Sequence, residues 1–339
     1  MRQKRVTIRD LARELGMSDR AVSQALNPHE SNVKLSPDTV IRIQKLAEER
    51  NYRPHTSAQA MRSGRFFNLG FFEAKSTSIA FPLRGSDRGV YDAAARLNYR
   101  VVLIKLPLDT SKAHNPIPSV FREAHLDTLV VSNAGRLTPE CKEAIALSGL
   151  PVVYLNEKMA ENAVYVDDIG GAQNITRHLI EQGRKRIVYL HTLSEDFDDL
   201  EHYSVRDRII GYEMAMRELG RTPEVLRFKH AWEDELGPWL AHNQNVDAIV
   251  CPGDFAAILM FRALYNTGLK IPRDIALTGY GDDFSELSPV KLTTMHIPFY
   301  EMAVAAAEMA ISLISNRAEV NKPSEVFSTQ LVVRDSTQS

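Results

Sequence analysis

From about residue 66 onward, short apolar runs alternate with amphipathic helical stretches, and nothing else in the chain constrains its fold as strongly. The expected strands are NLGFF (68–72), RVVLIKL (100–106), DTLVVS (127–132), PVVYL (151–155), RIVYLH (186–191), VLRFK (225–229), DAIVC (247–251) and DIALTGY (274–280). Between them lie helical stretches such as RGVYDAAARLN, AQNITRHLIEQG, VRDRIIGYEMAMRELG and FAAILMFRALYNTG. Continuously apolar strands separated by helices imply parallel sheets covered on both faces. So many strands suit two lobes better than one sheet. The expected fold class is therefore an α/β body of two doubly wound parallel-sheet lobes. No glycine-rich phosphate loop follows the first strand, which disfavours Rossmann or P-loop nucleotide binding.

The N-terminal part reads differently. Thr7 with Asp10 three residues on is a capping-box-like helix start, and Ile8, Leu11, Ala12 and Leu15 recur at helical spacing. Gly16 supplies a left-handed stop, Ser18 caps a second helix, and Val22, Ala25 and Leu26 give that helix an apolar face. Asp19, Arg20, Ser23 and Gln24 are left on its other side. This is a helix-turn-helix pattern, although an ordinary amphipathic pair in an α-rich domain has the same spacing. Ser36-Pro37 then opens a third helix with an apolar stripe of Val40, Ile43, Leu46 and Ala47. Three helices bury a shared core where two do not.

Charge favours the nucleic-acid reading. Residues 1–65 hold 13 Lys and Arg against 7 Asp and Glu, a formal +6. The remainder holds 28 against 36, a formal −8, so the overall −2 hides a basic head on an acidic body. A basic module gains affinity for phosphate by counterion release, and the body has no such tendency.

Other classes recede. The start MRQKRVTIRD lacks the apolar core of a signal peptide, and no run approaches membrane-spanning length. Cys141 and Cys251 are isolated, without metal or redox spacing, which points to a reducing cytoplasm with both thiols buried as small hydrophobes. With no nucleophile elbow, metal-ligand spacing or P-loop, an enzyme is not expected, and neither a cofactor nor a metal is called for.

Six segments in order resemble the LacI family of bacterial transcriptional regulators (LacI/GalR type), over nearly the full length. They are VTIRDLARELGMSDRAVSQALN, NYRPHTSAQAMRSGRFFNLGFF, VYVDDIGGAQNITRHLIEQGRKRIVYL, VRDRIIGYEMAMRELG, DAIVCPGDFAAILMFRALYNTGLKIPRDIALTGYGD and TQLVVRDST. The resemblance implies a periplasmic-binding-protein-like body joined to a small all-α helix-turn-helix head. It implies a homodimer, or a dimer of dimers, on double-stranded DNA at a pseudo-palindromic operator. A small-molecule effector, a sugar among the candidates, sits between the lobes and tunes operator affinity, most often as a repressor. The expected divisions are a head at 1–55, a hinge helix or linker at 56–65, and a body at 66–339. Within the body the lobes are about 66–165 plus 296–325, and 166–295 plus 326–339. A binding protein of the periplasmic type without a DNA role, and a regulator that needs no ligand, are the alternatives.

Residue roles follow from the same resemblance. Asp19, Arg20 and Gln24 fall on positions facing base edges, where Arg suits guanine, Gln adenine and Asp the cytosine amino group. Thr7, Ser18, Ser23 and Asn27 are placed to bond phosphates; for Thr7 and Ser18 helix capping is the competing role. The Asn27–Ser36 connection is longer than the family's loop, and His29 and Lys34 lie in it. In the hinge TSAQAMRSG (56–64), Met61 stands where the family wedges a leucine into the minor groove, and Ala58 packs near the partner hinge. Arg208, three residues before Gly211, matches the effector-binding arginine; Trp232 matches a stacking aromatic and Asn156 a polar cleft position. Asp254 and Asp282 complete the effector set, beside two departures: Gly253 replaces an asparagine and Gly281 an acidic residue. Asp168 stands where asparagine is frequent.

Overall fold

The computed structural model describes residues 6–26, 35–53, 64–73, 85–105, 125–132, 139–192, 202–228, 232–315 and 321–338. Two compact units, Met1–Phe67 and Asn68–Ser339, are each described on their own.

The first unit holds α1 (Ile8–Leu15), α2 (Asp19–Ala25) and α3 (Pro37–Glu49). Thr7 and Asp10 close a reciprocal capping box: Thr7 Oγ1 accepts from Asp10 N at 3.3 Å, and Thr7 N donates to Asp10 Oδ2 at 3.0 Å. Gly16 ends α1 at φ 65°, a left-handed conformation that costs glycine nothing. Ser18 and Ser36 cap the next two helices by accepting from Ala21 N and Thr39 N. The shared core is Leu11, Ala12, Val22, Ile43 and Ala47, with Ile8, Leu15, Ala25, Leu26, Leu46 and Tyr52 packed around it. Leu11 and Ile43 are almost completely buried, each contributing about 1.5–3 kcal/mol. Arg50 grips Glu14 with Nε and Nη2, tying the end of α3 to α1. Val40 is only half-buried, because the stripe that turns inward is carried by Ile43 and Ala47.

The second unit runs β1 (Asn68–Glu73), α4 (Ser86–Arg96), β2 (Arg100–Lys105), β3 (Thr128–Ser132), α5 (Pro139–Leu147), β4 (Val152–Leu155) and β5 (Ala163–Val166). It continues through α6 (Asp168–Glu181), β6 (Ile187–Thr192), α7 (Tyr203–Glu218), β7 (Val225–Phe228), α8 (Trp232–His242), β8 (Ala248–Val250), α9 (Asp254–Tyr265) and β9 (Ala276–Thr278). The last elements are β10 (Thr294–His296), α10 (Phe299–Ser315), β11 (Glu325–Phe327) and β12 (Gln330–Val332).

Two parallel sheets organise it. The six-stranded sheet has the order β11-β5-β4-β3-β1-β2, and the four-stranded sheet the order β7-β6-β8-β9. These are the doubly wound lobes expected from the apolar strands. The chain passes from the first sheet to the second after β5, returns after β10, and leaves again between Phe327 and Gln330, slightly beyond the expected 325/326 division. In each lobe strand order reverses beside the first strand, at β1/β3 and at β6/β8. Crevices form at the carboxyl ends of strands at such switch points.

The second lobe is built around Val188, Leu190, Ile249, Met260, Leu264 and Leu277. In the first, α10 packs against α4 and the sheet, and Thr128 Oγ1 donates to Ala310 O at 3.1 Å. Helices α6 and α7 pack so closely that a Cβ at Gly211 would collide with the Ile169 carbonyl oxygen. Among the described residues no helix is long and apolar enough to cross a membrane. Cys251 is buried, and its surroundings push the thiol pKa up; the Cys141 side chain lies outside the described residues.

Candidate functional site

In the head, the caps and the Gly16 turn set α2 on the three-helix core with Ser18, Asp19 and Arg20 exposed at its N-terminal end. Thr7 is exposed too, although its hydroxyl is occupied by Asp10. Ser23 and Gln24 are buried, at 8% and 9% exposure, and both make polar contacts. A helix of 3.6 residues per turn that buries Val22 draws its neighbours on the next positions partly inward as well. Sequence reasoning missed Arg9, whose Nε lies 3.4 Å from Asp19 Oδ2 and couples α1 to the start of α2. The signal available was a pair of cations, Arg9 and Arg13, on α1, of which Arg9 is the nearer to the start of α2. Asn27, His29, Lys34, Ala58 and Met61 lie outside the described residues.

In the body, Arg208 on α7 is the centre of a buried constellation. Its Nε donates to Asp168 Oδ1 at 2.7 Å, its Nη1 donates to the Pro252 carbonyl at 2.6 Å, and its guanidinium lies 3.8 Å from the centroid of the Tyr280 ring. Asp168 is in the first turn of α6, while Pro252 and Tyr280 directly follow β8 and β9, so packing of α6 on α7 over the second sheet assembles the group. Burial works against the charge of Arg208, but the Asp168 carboxylate outweighs it and the guanidinium pKa rises. Burial, reinforced by Asp168, pushes the Tyr280 phenol far up. Asp168 Oδ2, Tyr280 OH and Thr329 Oγ1 are buried without a hydrogen bond of normal geometry.

Asp254 lies nearby at the N-terminus of α9, where the helix dipole favours a carboxylate. Its oxygens are taken internally: Oδ1 accepts from Thr294 Oγ1 at 2.6 Å and Oδ2 from Phe284 N at 3.2 Å. Burial, helped by the Asp282 charge, raises its pKa against the bonds from Thr294, Phe284 N and Asp283 N. Asp282, at φ 64°, is held by Ser285, by Arg334 Nη2 at 2.9 Å and by His296 Nδ1 at 3.4 Å. Burial pushes its pKa up, and the bonds from Ser285 and Arg334 more than reverse that. Gly253 precedes α9 in extended backbone, and Gly281 takes φ 120°.

Asn156 ends β4 of the first lobe, also left-handed at φ 64°. It faces α7 of the second: its carbonyl accepts from His202 Nε2 at 2.8 Å and its Oδ1 from Tyr203 OH at 3.3 Å. Tyr203 OH in turn accepts from Val166 N at 3.2 Å, and Lys158 reaches Asp207 on α7. His202, Tyr203, Lys158 and Asp207 carried no sequence signal, since each acquires its role only when the lobes meet. Trp232 opens α8; its side chain lies outside the described residues. Among the described residues no group of three or more His, Cys, Asp or Glu is placed to hold a metal.

Residues 176–337 match the family described as "Periplasmic binding protein-like domain". The HTH-type transcriptional regulator RegA of Clostridium saccharobutylicum is 28% identical over 342 residues, covering 98% of this chain and 99% of its own length. The HTH-type transcriptional regulator GalR of Escherichia coli (strain K12) is 28% identical over 348 residues, covering 98% and 96%. The crystal structure of the Lac repressor dimer bound to operator and the anti-inducer ONPF shares the fold, with TM-score 0.75 and 19% identity over 99% of this chain and 100% of that one. The transcriptional regulator CelR–cellobiose complex aligns at TM-score 0.68 and 22% identity, over 98% and 100%. By fold and by similarity along nearly its whole length, the chain resembles transcriptional regulators of the LacI/GalR type.

Proposed function

We propose that the chain is a repressor whose head reads a pseudo-palindromic operator and whose body adjusts operator affinity by binding a small molecule between its lobes. The observation that carries this is the pairing, in one chain, of a capped helix-turn-helix presenting Asp19 and Arg20 with a two-lobed body that buries Arg208 at a switch-point edge. Asp19, Arg20 and Gln24 are the base readers, Gln24 turning out from its buried position on contact, and Thr7, Ser18, Ser23 and Asn27 set register on phosphate. Segment 56–65 is the hinge, with Ala58 at the partner hinge and Met61 as minor-groove wedge. The effector site is drawn from Arg208, Asn156, Trp232, Asp254 and Asp282, on an effector-binding body of lobes 66–165 plus 296–325 and 166–295 plus 326–339.

The chain works as a homodimer in the cytoplasm, where its DNA is. Support comes from relatives: one Lac repressor structure is a dimer bound to operator and an anti-inducer, CelR holds cellobiose, and an Enterococcus faecium relative holds ribose. A sugar effector is therefore the first chemistry to try. The switch is linkage: an effector that prefers one arrangement of the lobes shifts operator affinity by that differential affinity.

The test is a thermal-shift screen of sugars and metabolites on the full chain and on a variant lacking residues 1–65. A ligand of the native body raises the apparent stability of both. Only the full chain selects an operator, and the same ligand changes that affinity. DNA selection that survives removal of the head overturns the reading.

A further inference from the structure

We infer that Asp168 makes the effector crevice reject anions: by neutralising Arg208 in a buried pair, it reserves the site for uncharged, hydroxyl-bearing molecules. This rests on the effector-site reading proposed above. An arginine at a ligand crevice is otherwise a natural partner for carboxylate or phosphate, because its forked donors match their paired oxygens. Here two of its three nitrogens are already engaged. Nε is bonded to Asp168, Nη1 to the Pro252 carbonyl, and the guanidinium is stacked on Tyr280.

Asp168 is 1% exposed and the Arg208 side chain 16%. An anion drawn to Arg208 would either displace that carboxylate or sit beside it, setting two negative charges against one largely buried cation. Breaking a buried pair in this way is strongly unfavourable.

The surrounding charge points the same way. Asp254 is 2% exposed, and its carboxylate is bonded to the Thr294 hydroxyl and to the backbone amides of Phe284 and Asp283, with no ion pair to a cation among the described residues. Two cations that border this region are already paired, Lys158 with Asp207 and Arg334 with Asp282 and Glu286. Such a field repels anionic ligands. The buried Asp168 Oδ2, Tyr280 OH and Thr329 Oγ1, which make no hydrogen bond of normal geometry, are a carboxylate oxygen and two hydroxyls grouped together. That set hydrogen-bonds with hydroxyl or amide groups.

Isothermal titration of the full chain with inorganic phosphate at constant ionic strength tests this. The wild type is expected to show no saturable binding. Asp168→Asn keeps the shape but removes the charge, and should gain saturable phosphate binding that Asp168→Asn combined with Arg208→Gln loses. Asp168→Glu, which keeps the charge, should gain none; a merely structural role for Asp168 predicts no gain in any variant. If Asp168→Asn does not fold, Asp168→Ser takes its place. Saturable phosphate binding by the wild type that Arg208→Gln removes would overturn the inference, as would a folded neutral variant that gains nothing. Failure of the regulator reading shows separately, as loss of operator selection with the phosphate results unchanged.

Discussion

His202 Nε2 lies 2.8 Å from the carbonyl oxygen of Asn156, so the residue that caps α7 in one lobe also holds the backbone of the other. A carbonyl only accepts, so Nε2 carries the proton and Nδ1 is left to accept from Ser204. Replacing His202 by alanine removes the cap and the cross-lobe bond together. The expected loss is about 1–3 kcal/mol of unfolding free energy, the range for leaving buried polar groups unpaired. Denaturant unfolding reads it. A loss below ~0.5 kcal/mol, the scale of an ordinary surface substitution, would show that His202 does not join the lobes.

Stability should fall on mild acidification. His178, whose Nε2 is 2.9 Å from Thr337 Oγ1, and His202 both have pKa values lowered below the ordinary 6.5, chiefly by burial. The unfolded chain therefore takes up these protons first. Stability is fully present above pH 6.5 and is lost as pH drops from there through the lower folded values. Denaturation midpoints compared across this window should show that slope, and His178→Gln with His202→Gln should flatten it. An unchanged slope in the double variant contradicts the assignment.

Gly211→Ala should destabilise the body without touching the head. Its methyl would meet the Ile169 carbonyl and Ala172 across the α6–α7 contact, and both helices must separate to admit it. The expected cost is about 1–3 kcal/mol, as for other overpacked cores. Thermal unfolding of the isolated body measures it, and an unshifted transition would mean the helices pack more loosely than described.

Arg20→Ala should weaken operator binding by about 1–3 kcal/mol and relax preference at one base pair. Equal loss on operator and random duplex would make Arg20 a phosphate contact. Arg9→Ala offers a companion measurement: if Arg9 holds Asp19 in place, the effects of Arg9→Ala and Asp19→Ala on affinity will not add.

The central strands were legible because burial on both faces leaves nothing but apolar residues in runs such as Leu69–Phe72 and Leu129–Val131. The strands β5, β10, β11 and β12 are only three or four residues long and offer no period to read. Helix α10 also escaped. Its buried Met302, Ala303, Ala306, Ala307 and Ala310 leave little polar face to mark an amphipathic helix. In the body, Arg208 was legible by resemblance and Asp168 stood out as a departure, but the other partners of Arg208 were not legible: a Pro252 carbonyl has no side-chain signature, and Tyr280 reads like any core aromatic. In the head, capping and core followed from local spacing, whereas the Arg9–Asp19 approach and the burial of Gln24 arise only when the helices pack.

Selection of bound sequences from a randomised duplex pool by the full chain, at fixed moderate salt, tests the central claim most directly. The account predicts enrichment of a two-fold-related sequence, with the preference altered by Arg20→Ala and abolished by removing residues 1–65. No enrichment by the folded full-length chain, or enrichment indifferent to both changes, would contradict it.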